Sequence, residues 1–194
     1  MNNKAHMASL ALAVLALGAC SQDPENPGEP AVGDTGESTT VEATEPVGTN
    51  PEGDATTLRL EGLGDLTIGK PIPAGSTWAV RGAQISESCQ TASSPDFPGA
   101  YAIVTGEGVR RITISNDSDI TLIEGIGPGS TEAEVLAAFP GFVASPHKYV
   151  EAPAKYLTQP GNDPRLLFEL DADGKVGLVH VGMMPELGFV EGCA

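Results

Sequence analysis

The chain has 194 residues, with 26 acidic and 10 basic side chains and a formal net charge of -16 at pH 7. Its basic residues are scattered, which argues against nucleic-acid binding, because that function needs a clustered Lys and Arg surface. The length leaves room for one folded domain besides terminal segments.

The N-terminus has the layout of a cleaved secretory signal. It contains Lys4, an uncharged apolar run over Ala8–Leu17, and the small residues Gly18 and Ala19. A spanning helix needs about 20 apolar residues, roughly twice the run found here. The quartet Leu17–Cys20 resembles the bacterial lipobox, in which the cysteine is acylated and becomes the first residue. We expect residues 1–19 to be a lipoprotein signal peptide and Cys20 to be lipidated; the alternatives are an ordinary signal peptide and a short transmembrane anchor.

Lipidation predicts where the chain resides. Each buried methylene contributes about 0.8 kcal/mol, so two or three acyl chains hold a protein stably on a membrane. Ser21 follows the cysteine where, by resemblance to enterobacterial lipoproteins, an Asp would signal inner-membrane retention. The expected location is the cell envelope, with the outer membrane favoured and the lipid on Cys20 as the membrane contact.

The segment from Ser21 to Thr56 has nine Asp or Glu, five Pro and five Gly residues, and no Lys, Arg or aromatic residue. Such a composition buries too little apolar surface to offset the entropy of ordering. We expect residues 20–56 to form a lipidated, disordered acidic tether, extended by charge repulsion and proline. The alternative is an acidic attractant for a basic partner or for cations.

Residues 57–194 are expected to form a single extracytoplasmic domain. They carry 17 acidic and 9 basic residues and two cysteines, Cys89 and Cys193. In an exported protein such a pair predicts a disulfide, here closing a loop of about 100 residues. A zinc or redox pair would need a CxxC spacing or a nearby histidine.

Apolar alternation predicts mostly strands. The predicted strands, in chain order, are Leu58–Leu60, Leu66–Ile68, a hairpin of Tyr101–Val104 with Val109–Ile114, Tyr149–Thr158 with Pro153 at an edge or bulge, and a hairpin of Leu166–Leu170 with Val176–Val181. One helix is predicted over Thr131–Phe139. Its first residues fit a capping box, and Pro140 and Gly141 follow its end. Val135, Leu136 and Phe139 are expected to line its inner face.

The Gly-rich lead Ile126–Ser130 before the helix, and Ile68–Pro73 before a comparable stretch in the first half, suggest two copies of one unit, residues 57–122 and 123–194. The lead Ile126–Val135, a short helix ending at Phe139-Pro140-Gly141 and a following antiparallel meander resemble the repeat unit of the β-lactamase-inhibitor-protein and SmpA/OmlA-type outer-membrane lipoprotein superfamily. The expected fold class is α+β, with two antiparallel β-meander units, each with a short helix or helix-like lead, and one disulfide. The resemblance implies a non-catalytic domain that binds envelope proteins as an assembly factor or an inhibitor.

No motif predicts catalysis, a metal or a cofactor. His147 and His180 are the only histidines after residue 19, and neither lies in a GxSxG context. We interpret His180 as a strand-face residue; for His147, which begins a strand after a loop, a structural role is favoured and surface recognition is the alternative. Asp171 and Asp173 resemble the start of a calcium loop, but the twelfth position is Gly182 rather than a bidentate Glu, so a hairpin turn is preferred.

The apolar C-terminal stretch with its adjacent Met pair has two interpretations: packing in the core or a loop, which is favoured, and an adaptable binding surface, for which Met is suited. The candidate interaction residues are His147, Tyr149, Met183, Met184 and Phe189, together with exposed parts of Trp78 and Phe97. We expect a membrane-anchored, non-catalytic protein-interaction module. The alternatives are a small-ligand-binding or surface-coat lipoprotein and, less favoured, a small envelope hydrolase.

Overall fold

A computed structural model of the chain describes residues 56–193. The predicted signal peptide, Cys20 and all of the tether before Thr56 lie outside these residues. The elements are β1 (Thr57–Leu58), β2 (Gly62–Leu63), β3 (Leu66–Thr67), β4 (Ala79–Val80), β5 (Cys89–Ser93), β6 (Ala100–Thr105), β7 (Gly108–Ser115), β8 (Thr121–Leu122), α1 (Glu132–Ala138), β9 (Val143–Pro146), β10 (Lys155–Thr158), β11 (Arg165–Leu170), β12 (Val176–Gly182) and a 3-10 turn over Glu186–Gly188. In this part of the chain, no helix has the length and apolarity to cross a membrane.

Eight strands form one antiparallel sheet in the order β4-β5-β6-β7-β12-β11-β10-β9. Its centre is the pairing of β7 with β12, in which Ile112 lies opposite Val181 and Ile114 opposite Val179. The short strands β1 and β8 pair in parallel, and β2 and β3 form a small antiparallel ribbon. The domain is therefore mostly β, with one short α-helix among the described residues.

Both predicted hairpins are confirmed, as β6–β7 and β11–β12. Alternation places every second residue on one face of the sheet, where the side chains are buried. This core face contains Ala92, Ala102, Ile112, Ile114, Leu157, Leu166, Phe168, Val179 and Val181. Phe139 and Phe142 pack on Phe168, with ring centroids 5.7 Å from it in each case.

The predicted helix is confirmed with its capping box. The Glu134 N–H donates to Thr131 Oγ1, and Glu134 Oε2 accepts from the Thr131 N–H at 2.7 Å. Backbone bonds from Gly129 to Val176 and from Glu132 to Gly174 fix the start of α1 to the turn of the β11–β12 hairpin. Only Val135 of the helix is buried, so the prediction that Leu136 faces inward was wrong.

Three further expectations need correction. The segment after Ile68, predicted as a helix-like lead, has no helix before β4, because Pro71 and Pro73 remove backbone donors and restrict the chain. The strand predicted from Tyr149 begins only at Lys155. Trp78 is 2 % exposed and stacks on Phe97, so it offers no surface to a partner.

The predicted disulfide is present. Cys89 in β5 and Cys193 near the C-terminus are bonded, with their Cα atoms 5.5 Å apart and a sequence separation of 104. The bond attaches the end of the chain to the sheet.

Candidate functional site

The second face of the sheet is polar, although much of it is buried. Because β7, β12 and β11 alternate, the residues that do not face the core include Arg111, Thr113, His180 and Glu169. Arg111, Thr113 and His180 are all buried, and Glu169 is half-buried. We call this surface the polar face. A buried polar face needs hydrogen-bond partners, and the C-terminal segment supplies some of them.

Residues 183–193 cross the polar face, and we call them the C-terminal strap. Leu187 in its 3-10 turn is 1 % exposed. Arg111 Nη1 donates to the carbonyl oxygens of Glu186, at 3.1 Å, and of Phe189. Arg110 Nε lies 3.1 Å from Glu186 Oε2 in an ion pair that is largely buried. The strap is thus held by one apolar side chain, two arginines and, at its end, the disulfide.

Arg111 is the most costly group on this face. Its side chain is fully buried, and its Nε and Nη2 atoms have no hydrogen-bond partner among the described residues. Burial lowers the pKa of Arg111 from its usual value. A guanidinium remains charged in proteins, so Arg111 adds a fixed positive charge beneath the strap.

Both histidines of the domain lie beside the carboxylate of Glu169. His147 Nε2 is 2.9 Å from Glu169 Oε1, and the imidazole stacks on the ring of Tyr156 with centroids 4.8 Å apart. His147 Nδ1 accepts from the N–H groups of Tyr149 and Val150, at 3.1 and 3.0 Å. These two donors require Nδ1 to lack a proton, so Nε2 carries it and donates to Glu169.

His180 lies deeper. Its Nδ1 is 2.8 Å from Thr113 Oγ1, and its Nε2 is 3.9 Å from Glu169 Oε2. Burial lowers the pKa of His180 to about 4, assisted by the charge of Arg111 and opposed by Glu169. Burial alone would raise the pKa of Glu169, but its contacts with His180 and His147 outweigh this and lower it. At neutral pH the His180 imidazole is therefore uncharged beside the Glu169 carboxylate.

A cleft of about 240 Å³ opens between the polar face and the strap. Its lining residues are Ser145, Tyr156, Thr158, Leu167, Glu169, His180, Met184, Leu187, Gly188, Phe189 and Val190. Thr113, the hydroxyl nearest His180, has no exposed surface and cannot reach a substrate. Within residues 56–193, no three His, Cys, Asp or Glu side chains are arranged to hold a metal ion.

The structure brings most of the predicted interaction residues to this region. Met184 and Phe189 line the cleft, and the Tyr149 hydroxyl donates to Glu191 on the strap. Tyr149 is exposed, whereas the His147 side chain is largely buried. Met183 does not line the cleft. Its side chain is half-buried, with Sδ 3.5 Å from Arg110 Nη1.

Sequence reasoning missed Glu169, Tyr156 and Ser145. Their positions in the strands could have identified them. Each occupies the non-core face of its strand, and Tyr156 pairs with both Ser145 and Glu169. Asp171 and Asp173, by contrast, form a turn as expected. Asp171 Oδ1 accepts from the N–H groups of Asp173 and Lys175.

No protein-family model, curated protein or solved structure matches this chain.

Proposed function

We propose that this protein is a membrane-anchored envelope lipoprotein that acts as a non-catalytic protein-interaction module. The observation that carries the proposal is a set of exposed apolar side chains, two that line the cleft and two on the loop after β9. Tyr149 is 57 % exposed, Val150 42 %, Met184 46 % and Phe189 37 %. Large apolar side chains that are grouped on a surface mark sites of protein contact.

The sheet edge at β9 supports the same proposal. All four residues of β9 are exposed, and the strand pairs on one side only, with β10. An unpaired edge can accept an extended segment through backbone hydrogen bonds, while side-chain pockets select the sequence. Ser145 lies in this strand and also lines the cleft, so an added segment would reach both features.

We also propose that β4–β7 and β9–β12 are two copies of one meander unit. Each is a run of four consecutive antiparallel strands, and the two runs meet at β7 and β12. This arrangement, the capped helix before the second run and the resemblance to the inhibitor and outer-membrane lipoprotein superfamily support a role as an assembly factor or an inhibitor.

Anchoring and partner contact are tested in one experiment with the full-length chain in its own membranes. A photoreactive amino acid is placed at Val143 or Phe189 and, as a control, at Ile123, which is 71 % exposed on a turn away from the cleft. We expect one discrete crosslinked product from the first two positions and none from the third. Equal products from all three, or none from any, would contradict the proposed interface.

Each form is also made with Cys20→Ser. Loss of the acyl chains should move the protein from the membrane fraction to the soluble fraction. Unchanged membrane association would argue against lipidation at Cys20. The crosslinking result would not be affected by that outcome.

A further inference from the structure

One oxygen of Glu169 is without a hydrogen bond. Oε1 accepts from His147, but Oε2 has His180 Nε2 at 3.9 Å, too long for a hydrogen bond, and no other described residue donates to it. The side chain is 21 % exposed and borders the cleft. Glu169 Oε2 can therefore still accept a hydrogen bond from a group in the cleft.

The other residues that line the cleft suit a ligand with an apolar stem and a polar end. Leu167, Leu187, Phe189 and Met184 provide apolar wall, and Ser145, Thr158 and Tyr156 contribute hydroxyl groups. A volume of about 240 Å³ is smaller than a typical drug-sized pocket, which is about 300 to 1,000 Å³. The cleft matches a group the size of a single long side chain.

The charges favour a cation over an anion. No Lys or Arg lines the cleft, and the low pKa of His180 keeps its imidazole neutral at pH 7. Arg111 is nearby, but it is fully buried and directed to the carbonyl groups of the strap. The ionised Glu169 is the only formal charge in the lining, and residues 57–194 carry a formal charge of -8.

We propose that this cleft binds a primary alkylammonium group on an apolar stem, with Glu169 as its counter-ion. The ammonium donates to Glu169 Oε2 and to the neighbouring hydroxyl oxygens, and the stem packs against Leu187 and Phe189. A charge-assisted hydrogen bond of this kind is stronger than a neutral one.

Two sources can supply this group. One is a free alkylamine. The other is a lysine side chain of a protein that adds an extended segment beside β9, and this second source rests on the proposed function. Both present the same chemistry to Glu169.

The test measures binding by chemical shifts of backbone amides in the full chain carrying Cys20→Ser. The probes are n-butylammonium and Nα-acetyl-lysine amide, with 1-butanol and Nα-acetyl-norleucine amide as neutral controls and butyrate as the anionic control. We expect saturable shifts at Tyr156, Glu169 and His180 with the two cations only. Glu169→Gln should weaken their affinity by about tenfold or more. Glu124→Gln, the same charge change on an exposed turn, should leave it unchanged.

Equal binding of the neutral controls would overturn the proposal, since the cleft would then recognise apolar stems alone. Preferred binding of butyrate, or the absence of any shift, would overturn it as well. If Glu169→Gln lacks a dispersed spectrum, Ser145→Tyr at the exposed mouth of the cleft takes its place, and it should block both cations.

The source is then assigned by crosslinking at Val143, which is exposed on β9 and does not line the cleft, with excess n-butylammonium present. Loss of the crosslinked product indicates a partner lysine, and an unchanged product indicates a free amine. Failure of amine binding with intact crosslinking would refute the amine site and leave the proposed function standing.

Discussion

At the scale of single residues, His180 is a buried imidazole whose pKa is lowered by that burial to about 4. Its imidazole lies beside Thr113 and Glu169 and is influenced by the charge of Arg111, while His147 contacts the other oxygen of Glu169. The unfolded chain would take up a proton on His180 near its ordinary pKa of 6.5, whereas the folded protein takes it up only near pH 4. Folding is therefore coupled to proton release in this interval.

The sign of the pH dependence follows from this difference. Below pH 6.5 the unfolded state binds more protons than the folded state, so the free energy of unfolding falls as the pH falls toward 4. A shift to about 4 corresponds to a loss of about 3 kcal/mol over this range. The lowered pKa of Glu169 adds a further loss at more acidic pH, as the carboxylate is protonated.

The measurement is urea unfolding at several pH values between 7 and 4, for the natural sequence and for His180→Asn. Asn retains an acceptor for the Thr113 hydroxyl and does not titrate, so its profile should be flatter over this interval. His147→Asn is the matched control and should keep the His180-dependent loss. Parallel profiles for the natural sequence and His180→Asn would contradict the assignment.

Both histidines were candidates from the sequence, but it was not predicted that both lie beside Glu169. The alternation in β12 correctly placed His180 on a strand face. It did not indicate that this face is covered, because the cover comes from the strap at the C-terminus. Glu169 drew no attention because a single Glu in an apolar strand looks like an exposed residue on an amphipathic sheet.

At the scale of elements, α1 depends on its N-terminal cap. The helix has seven residues, and its core contacts come from Val135 and, at the C-terminal end, from Ala138 and the C-cap Phe139, so the first turn has little packing of its own. The ion pair of Lys155 with Glu132, at 2.8 Å, is about one-third exposed and adds at most about 1 kcal/mol. The capping box satisfies two backbone groups at a helix that also anchors the turn of β11–β12.

Thr131→Ala should therefore lower the free energy of unfolding by about 1 kcal/mol, because the Glu134 N–H loses its acceptor. Thr131→Ser keeps the hydroxyl and should unfold like the natural sequence. Both are measured by urea denaturation at pH 7. If Ala and Ser unfold alike, the cap contributes nothing and the backbone bonds to Gly174 and Val176 alone hold the start of the helix.

Helices and strands whose own residues carry a clear sequence pattern could be predicted. Strands that are defined only by their pairing with another strand could not. The central hairpins have apolar alternation on both strands and short turns, and α1 has its capping residues in sequence. The strands β5 and β9 were missed because they are short and poor in large apolar residues. β5 is defined by its pairing with β6, and β9 by its pairing with β10.

At the scale of the whole molecule, the disulfide joins the C-terminal strap to the first half of the sheet. Its sequence separation of 104 residues is a long loop, so the bond restricts the unfolded chain strongly. The chain-entropy model gives a stabilisation of about 4 to 5 kcal/mol for a loop of this length. The strap also has contacts that do not need the bond, through Leu187, Arg110 and Arg111.

Reduction should therefore lower stability without removing the fold. We expect the reduced protein to unfold at a clearly lower guanidinium concentration, with an unchanged far-ultraviolet circular dichroism spectrum before the transition. The double variant Cys89→Ala with Cys193→Ala should behave like the reduced protein, which separates the loss of the bond from any effect of the reductant. Equal midpoints for the oxidised and reduced forms would mean that the unfolded chain is already compact. A changed spectrum before the transition would mean instead that the bond holds the strap in place, and that the cleft exists only in the oxidised protein.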